Sequence, residues 1–259
     1  MEAISIQPAA PRTTMAMPPD VDRTCRLGLM AKHWEPGKVK TRLGATIGMQ
    51  RAAKLHRLFC EHLTHALATA ADRRSLVISP PQSRGEFESF SPTGWDVEIQ
   101  SEGDLGRRMQ TWFEQSAAAA APSVENAPPV DGVLIGADCP LISTALIGHT
   151  QRLLSDHDVV LGPAVDGGYY LIALRDGWCE RYQPLTHQMP WSSADVFTTT
   201  CTRAESAGLS VAVLTPMEDI DTESELDRLR TQLRQDSSDA GGQDLLQSIE
   251  RIMQNGVQT

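Results

Sequence analysis

Four cations stand close together in the stretch MAKHWEPGKVKTRL: Lys32, Lys38, Lys40 and Arg42, set around a Pro36-Gly37 turn. The apolar run Leu27–Ala31 leads into them and reads as a buried strand, and a helical pattern starts a few residues later. Cations on a strand-to-helix loop suit an anionic ligand, because a helix N-terminus adds free backbone N–H groups and a partial positive charge. Three acidic motifs follow, each at the end of a strand pattern. Asp138 lies in Gly136-Ala137-Asp138-Cys139-Pro140, directly after an apolar strand. In an open α/β sheet, ligands sit beyond the carboxyl ends of the strands. A carboxylate there can hold Mg2+, which takes one or two protein carboxylates and leaves its other positions to water and phosphate. Asp166-Gly167-Gly168 lies inside GPAVDGGYYLIAL, where bare glycines allow close approach of backbone to ligand or simply a tight turn. Asp219-Ile220-Asp221-Thr222 stands before a helix, so Asp221 or Thr222 could equally be its cap, with Glu225 completing a capping box from Thr222.

The elements that must position these groups alternate between short apolar strands and amphipathic helices, the signature of an α/β sheet. The pattern predicts strands at Arg26–Ala31, Ser75–Ser79, Asp96–Gln100, Gly132–Gly136, Asp158–Gly162, Tyr169–Leu174 and Leu209–Leu214. It predicts helices at Met49–Ala71, Leu105–Ala121, Ser143–Ser155, Ser193–Ala207 and Glu223–Gln235. The turn between Gly162 and Tyr169 is too short for a helical crossover, so that pair of strands is expected to be antiparallel. Breaks are expected at Pro80–Pro92, Ala117–Pro129 and Asp236–Gln243, the last isolating a short polar helix, Asp244–Asn255, as an appendage. Residues 1–24 read as a flexible lead-in, 25–235 as one domain and 236–259 as linker and short terminal helix.

Composition narrows the partners. The chain carries 23 Lys and Arg against 33 Asp and Glu, a formal charge of −10, which disfavours nucleic acid and leaves the basic loop as a local device. Five cysteines without a CxxC pair read as reduced thiols, consistent with a cytoplasmic location. No apolar run approaches a membrane span, and the N-terminus lacks the pattern of an ordinary signal peptide. His56, His62 and His65 share one helix but read as core edge and solvent rather than as metal ligands. Cys139 has no neighbouring base to make it a nucleophile.

The motifs in Met30–Leu43, Gly136–Pro140, Gly162–Ile172, Pro190–Ser192 and Asp219–Thr222 together resemble one family of bacterial transferases. These are often labelled glycosyltransferase or selenodomain-associated transferase, within the GT-A or nucleotide-diphospho-sugar transferase superfamily. A more distant similarity is to 2-phospho-L-lactate guanylyltransferase. The resemblance spans Arg26–Arg230 in motif order. It implies a single-domain, Rossmann-like, three-layer α/β fold with a mixed, mostly parallel sheet. It also implies a nucleotide donor, a small-molecule acceptor and Mg2+ or Mn2+.

Carried over position by position, Lys32, Gly37, Lys38, Lys40 and Arg42 would match the phosphate-gripping loop. Gly106 and Arg107 would match a segment near the nucleotide. Asp138 would match the metal-binding aspartate, and Asp221 the later carboxylate that completes the metal site. Asp166, Gly167 and Gly168 would line the acceptor side, which leaves Lys40, Arg42, Asp138 and Asp166 as the catalytic candidates. His33-Trp34, Leu141 and Thr222-Glu223-Ser224-Glu225 depart from the family pattern, which touches the acceptor more than the fold.

Two reactions fit these residues. In nucleotidyl transfer, a phosphorylated acceptor attacks the α-phosphorus of a nucleoside triphosphate and pyrophosphate leaves. That chemistry asks for positioning and charge neutralisation more than for a base, and the sequence leans toward it. In glycosyl transfer, an acceptor hydroxyl attacks a nucleotide sugar, and Asp166 is the candidate base. A non-catalytic nucleotide-binding protein is a third reading, and a monomer or a homodimer is expected.

Overall fold

The structure, a computed structural model, describes residues 23–119, 129–236 and 238–254. Most of the lead-in expected at residues 1–24, and most of the break expected at Ala117–Pro129, lie outside them; Thr24 already belongs to a strand. Seven strands are formed by Thr24–Lys32 (β1), Arg73–Ser79 (β2), Trp95–Ile99 (β3), Val130–Gly136 (β4), Val159–Pro163 (β5), Tyr169–Leu174 (β6) and Val211–Val213 (β7). They build one sheet in the order β3-β2-β1-β4-β6-β5-β7. β1 runs parallel to β2 and β4, setting Leu29 beside Leu76 and Ile135. β6 alone is reversed, antiparallel to both β4 and β5, because a turn at Ala164–Gly168 leaves no room for a crossover. The sheet is therefore mixed and mostly parallel, as expected.

The helices are Thr41–Ile47 (α1), Met49–Ala66 (α2), Arg84–Phe90 (α3), Leu105–Ala119 (α4), Thr144–Leu154 (α5), Val196–Ser206 (α6), Glu223–Gln235 (α7) and Ala240–Gln254 (α8). Leu63 of α2, Phe87 of α3 and Ile147 of α5 pack with Leu27 and Leu29 on one face of the sheet. Met109, Trp112 and Phe113 of α4 and Ala204 of α6 cover the other. Helices on both faces of a sheet make three layers.

Several element ends shift, as where α2 stops at Ala66 and not Ala71, and three regions depart further from the sequence pattern. Gly48, at φ 93, separates α1 from α2, where the sequence pattern gives a helix only from Met49. α3 occupies the stretch expected to be irregular; its Phe87 and Phe90 rings lie 4.7 and 5.6 Å from Trp34, so long-range aromatic packing folds a segment too short to display a period. α8 starts four residues earlier than expected and belongs to the body of the protein, with Leu245 and Ile249 buried among Leu55, Phe59 and Leu229. Arg230 adds an ion pair to Glu250 at 2.7 Å. No helix among the described residues is long and apolar enough to cross a membrane.

Candidate functional site

The site forms where β1 and β4 end. The chain leaves β1 at Lys32 and turns back through Pro36–Val39, with Lys38 N–H donating to the Glu35 carbonyl at 2.9 Å. It then enters α1 through Lys40, whose φ of 48 is uncommon for a residue with a side chain. Lys40 points inward, its side chain only 2% exposed. Its ammonium is ion-paired with Oδ1 of Asp138 and donates to Oδ1 of Asp221 at 2.9 Å. The three other cations of the loop stay outside. Lys32 is exposed and donates to the Lys38 carbonyl at 2.9 Å, and Lys38 and Arg42 are exposed.

Asp138 and Asp221, 83 positions apart in the sequence, meet because the loop after β7 is tied to the end of β4 by an Ile220 N–H to Asp138 carbonyl bond of 3.0 Å. The capping question at this loop is settled by the same geometry. Thr222 caps α7 in a capping box with Glu225, which accepts from the N–H groups of both Asp221 and Thr222 at 2.6 Å. The Asp221 carboxylate is thereby left to Lys40.

His56, which the sequence pattern assigned to core or solvent, is the residue missed. It is buried on α2, its Nε2 donates to the Lys32 carbonyl at 2.9 Å, and its Nδ1 faces Asp138 Oδ1 at 3.7 Å. Burial pulls this imidazole down, but the nearby Cys60 sulfur and Asp138 carboxylate push it up to about 10. Burial likewise opposes the charges of Lys40 and Asp138. Their mutual attraction outweighs it, aided at Lys40 by Asp221 and at Asp138 by His56. Lys40 is raised and Asp138 is held far below the usual carboxylate range. The signal available in the sequence was a histidine between Ala52, Leu55 and Phe59 on the apolar face of α2.

Two cavities adjoin at this point. The smaller, of about 180 Å3, is lined by the carboxylates of Asp138, Asp166, Asp219 and Asp221, and none of its lining residues is Lys, Arg or His. The larger, of about 320 Å3, is mostly apolar, with Leu105, Met109, Leu134 and Ile172 in its walls and Lys32, His56 and Gln100 as its polar members besides Asp138 and two tyrosines. Gly136, Asp138, Tyr169 and Tyr170 belong to both.

Asp166 is exposed and accepts from the Gly168 N–H at 2.9 Å. Gly167 has φ +96, and a Cβ there would stand 2.1 Å from the Ala194 carbonyl oxygen; its own carbonyl accepts from Phe197 N–H at 2.9 Å. The segment after Trp191 thus pins this turn against the smaller cavity. Asp219 is pushed up to about 6 by burial and by the charges of Asp166, Asp221 and Glu225. Burial and Asp138 push the Cys139 thiol well up, which suits an inert thiol.

Of the residues singled out in the sequence, Asp138, Asp166, Gly168 and Asp221 line the smaller cavity and Lys32 the larger. Lys40 braces the wall between them from within. Gly37, Lys38, Arg42, Gly106, Arg107 and Gly167 line neither. At the start of α4 it is Leu105 that faces the larger cavity. Gly106 is packed so closely that a Cβ would come within 2.1 Å of the Thr186 carbonyl oxygen, and Arg107 is exposed.

The carboxylates fit a hard divalent cation. Asp138 and Asp221 are side by side, half and one-third exposed, and each engages Lys40 through Oδ1 alone. Among the described residues no three His, Cys, Asp or Glu converge as a ready-made cage. Two carboxylate donors match Mg2+ or Mn2+ sharing phosphate oxygens and suit Zn2+ poorly.

The fold defines the class. A crystal structure from Desulfovibrio desulfuricans G20, described as a "putative nucleotide-diphospho-sugar transferase", superposes with a TM-score of 0.76 at 27% identity, over 89% of this chain and 97% of that one. CMP:2-keto-3-deoxy-manno-octonic acid synthetase complexed with CTP superposes at 0.51 and 12% identity, covering 82% and 99%. The 4-diphosphocytidyl-2C-methyl-D-erythritol synthase of Anaerococcus prevotii DSM 20548 does so at 0.52 and 10%, covering 83% and 98%. The chain has the fold of the nucleotide-diphospho-sugar transferases. It belongs to the family described as "Uncharacterized protein conserved in bacteria (DUF2064)", which matches residues 62–193, just over half of the chain. No curated protein matches it in sequence.

Proposed function

We propose that the protein is a metal-dependent transferase that takes a nucleotide-linked donor and passes a group to an uncharged hydroxyl of a small acceptor. The observation that carries this reading is the shared wall, where an apolar cleft and an all-carboxylate cavity meet at Asp138. A base and ribose in the cleft, against Leu105, Met109 and Ile172, would bring the donor's phosphates to that wall beside Lys32. Phosphate recognition then falls to Lys32, Lys40 and Arg42, helped by Gly37 and Lys38 in the loop and by Gly106 and Arg107 at the start of α4. Mg2+ or Mn2+ held by Asp138 and Asp221 would neutralise charge on the leaving phosphates. Lys40 and His56 hold Asp138 in position. Asp166, with Gly167 and Gly168, lines the acceptor side, and Asp166 or Asp219 takes the hydroxyl proton.

The charge of the smaller cavity favours one of the two reactions. A phosphorylated acceptor would enter a space in which Lys40 and the metal offset Asp138 and Asp221 but no Lys, Arg or His of the lining offsets Asp166 and Asp219. The sequence leans toward nucleotidyl transfer because its first loop is rich in cations and an ionised acceptor needs no base, whereas the acceptor side of this cavity offers Asp166 and Asp219 as bases and has no Lys, Arg or His in its lining. Glycosyl transfer from a nucleotide sugar to a hydroxyl is therefore the favoured reading. The likeness to the Desulfovibrio protein fits a nucleotide-linked donor in either reaction. Nucleotidyl transfer stays as the second reading, because a loop with four cations suits a triphosphate. The test incubates the protein and Mn2+ with each nucleotide sugar and each nucleoside triphosphate over a panel of hydroxyl acceptors, following nucleoside diphosphate and pyrophosphate separately. Acceptor-dependent nucleoside diphosphate is expected; pyrophosphate alone would move the assignment to nucleotidyl transfer.

A further inference from the structure

Lys40 occupies an unusual place for a phosphate-gripping residue. Its ammonium is turned away from solvent onto the two carboxylates that fit the metal, while Lys32, Lys38 and Arg42 of the same loop remain exposed. A buried ammonium has to be neutralised where it lies, and Asp138 and Asp221 do that here through Oδ1 of each. The same carboxylates are half and one-third exposed on the cavity side, so they can be reached from both directions. A divalent ion on them would stand close to the ammonium in a site with little water, where like charges repel strongly.

Resting on the reading that Asp138 and Asp221 hold the cation, we propose that Lys40 is a built-in surrogate for that cation. Lys40 and the metal compete for the two carboxylates, and metal arrival frees the Lys40 ammonium for the donor's phosphates. The ion pair fills the site with an internal cation until metal and nucleotide come together. The exchange couples the two ligands. Without metal, Lys40 is engaged and the loop offers only its other three cations to phosphate. Without nucleotide, the metal must displace an ammonium and gains only two carboxylates. Each ligand therefore removes the cost that the other meets, a positive coupling in the thermodynamic sense.

The experiment uses Mn2+ alone as probe and the full-length protein, with bound metal read by loss of the free Mn2+ resonance. Lys40→Met removes the competitor, so it should bind Mn2+ at least about tenfold more tightly than the native protein, whereas Lys40→Arg, which keeps a cation there, should not. Equal or weaker binding by Lys40→Met overturns the competition. A second measurement avoids any folding defect of the variant: brief amine acetylation of the native protein with peptide mapping. Mn2+ should raise modification of Lys40 relative to the exposed Lys38 and Lys54. Modification of Lys40 that stays unchanged under saturating Mn2+ overturns the proposal as well. The underlying metal reading fails separately, if neither native protein nor Lys40→Met takes up Mn2+, with or without a nucleoside triphosphate.

Discussion

The two cavities share a wall and little else. The smaller is built from turn residues that follow β4, β5 and β7, each held by backbone hydrogen bonds such as Ile220 N–H to Asp138 carbonyl at 3.0 Å. The larger is built from side chains rooted in β1, β4, β6 and α4, whose positions come with the packed core. On the proposed reading, chemistry sits on the part of the molecule where backbone geometry is specific, and affinity on the part where shape is enough. Substitutions in the acidic cavity should change rates and acceptor choice, and substitutions in the apolar cleft should change only how tightly the donor binds.

The largest effect is expected at the wall itself. Asp138→Asn should lower turnover by about a hundredfold or more, since it removes a carboxylate proposed to neutralise the leaving group through the metal. From its place at a strand end, Asp138 would be expected to be dispensable for folding. The structure argues otherwise, because it faces two buried cations, Lys40 and His56. Its removal leaves Lys40 with Asp221 alone, so a loss of about 1–3 kcal/mol is expected after allowing for the half-exposed carboxylate. Urea unfolding of the apo variant checks this; an unchanged midpoint would show that Asp221 and water suffice for Lys40.

Asp166→Asn and Asp219→Asn probe the acidic side next. If one of them takes the proton, its loss should lower kcat by about a hundredfold while leaving KM for the donor close to native. Both variants should also narrow the preference for a free sugar over its phosphate ester, because each removes one of the two carboxylates of the cavity that Lys40 does not engage. A preference for the phosphate ester in the native protein would contradict the acceptor assignment and restore the nucleotidyl reading.

The contrast between the two sides also explains what the sequence made legible. Strand runs and their spacing placed β1, β4 and β6 and put Asp138 and Asp166 at strand ends, because burial patterns are local and strand ends in α/β sheets face ligands. The reversed β6 was readable from the length of one turn. Hidden were features set by backbone choices or distant packing. Nothing in KVKTRL says that Lys40 takes φ 48 and points inward while Arg42 points out. His56 reaches Asp138 only because α2 lies along β1 and β4. α8 reads in sequence as a polar appendage, because the partners of Leu245 and Ile249, Leu55 and Phe59, are nearly two hundred positions away and only packing brings them together.

On the side of the apolar cleft, Gly106→Ala separates packing from ligand recognition. Its Cβ would stand 2.1 Å from the Thr186 carbonyl oxygen, a backbone atom that cannot swing aside. Overpacking of this kind costs about 1–3 kcal/mol. The thermal midpoint should fall, whereas Arg107→Ala, on an exposed side chain, should leave it unchanged. If Gly106→Ala retained native stability but lost donor affinity, the glycine would serve the phosphate site and not the packing.

The smallest effect is expected from Leu105→Ala, and it is the cleanest check on the division between chemistry and affinity. Leu105 is 44% exposed, an unusual position for a large apolar side chain at the start of a helix, and it faces the larger cavity. A donor base lying in the cleft would cover it, removing apolar surface from water. Because the side chain already packs partly against the protein, only about half of its burial is gained on binding, roughly 1 kcal/mol. That corresponds to about a fivefold rise in KM for the donor with kcat unchanged. Stability should hardly move, since an exposed leucine contributes little to the folded state. Steady-state kinetics with saturating acceptor measures both parameters, and a fall in kcat without a change in KM would place the base elsewhere and remove the assignment of the apolar cleft to the donor.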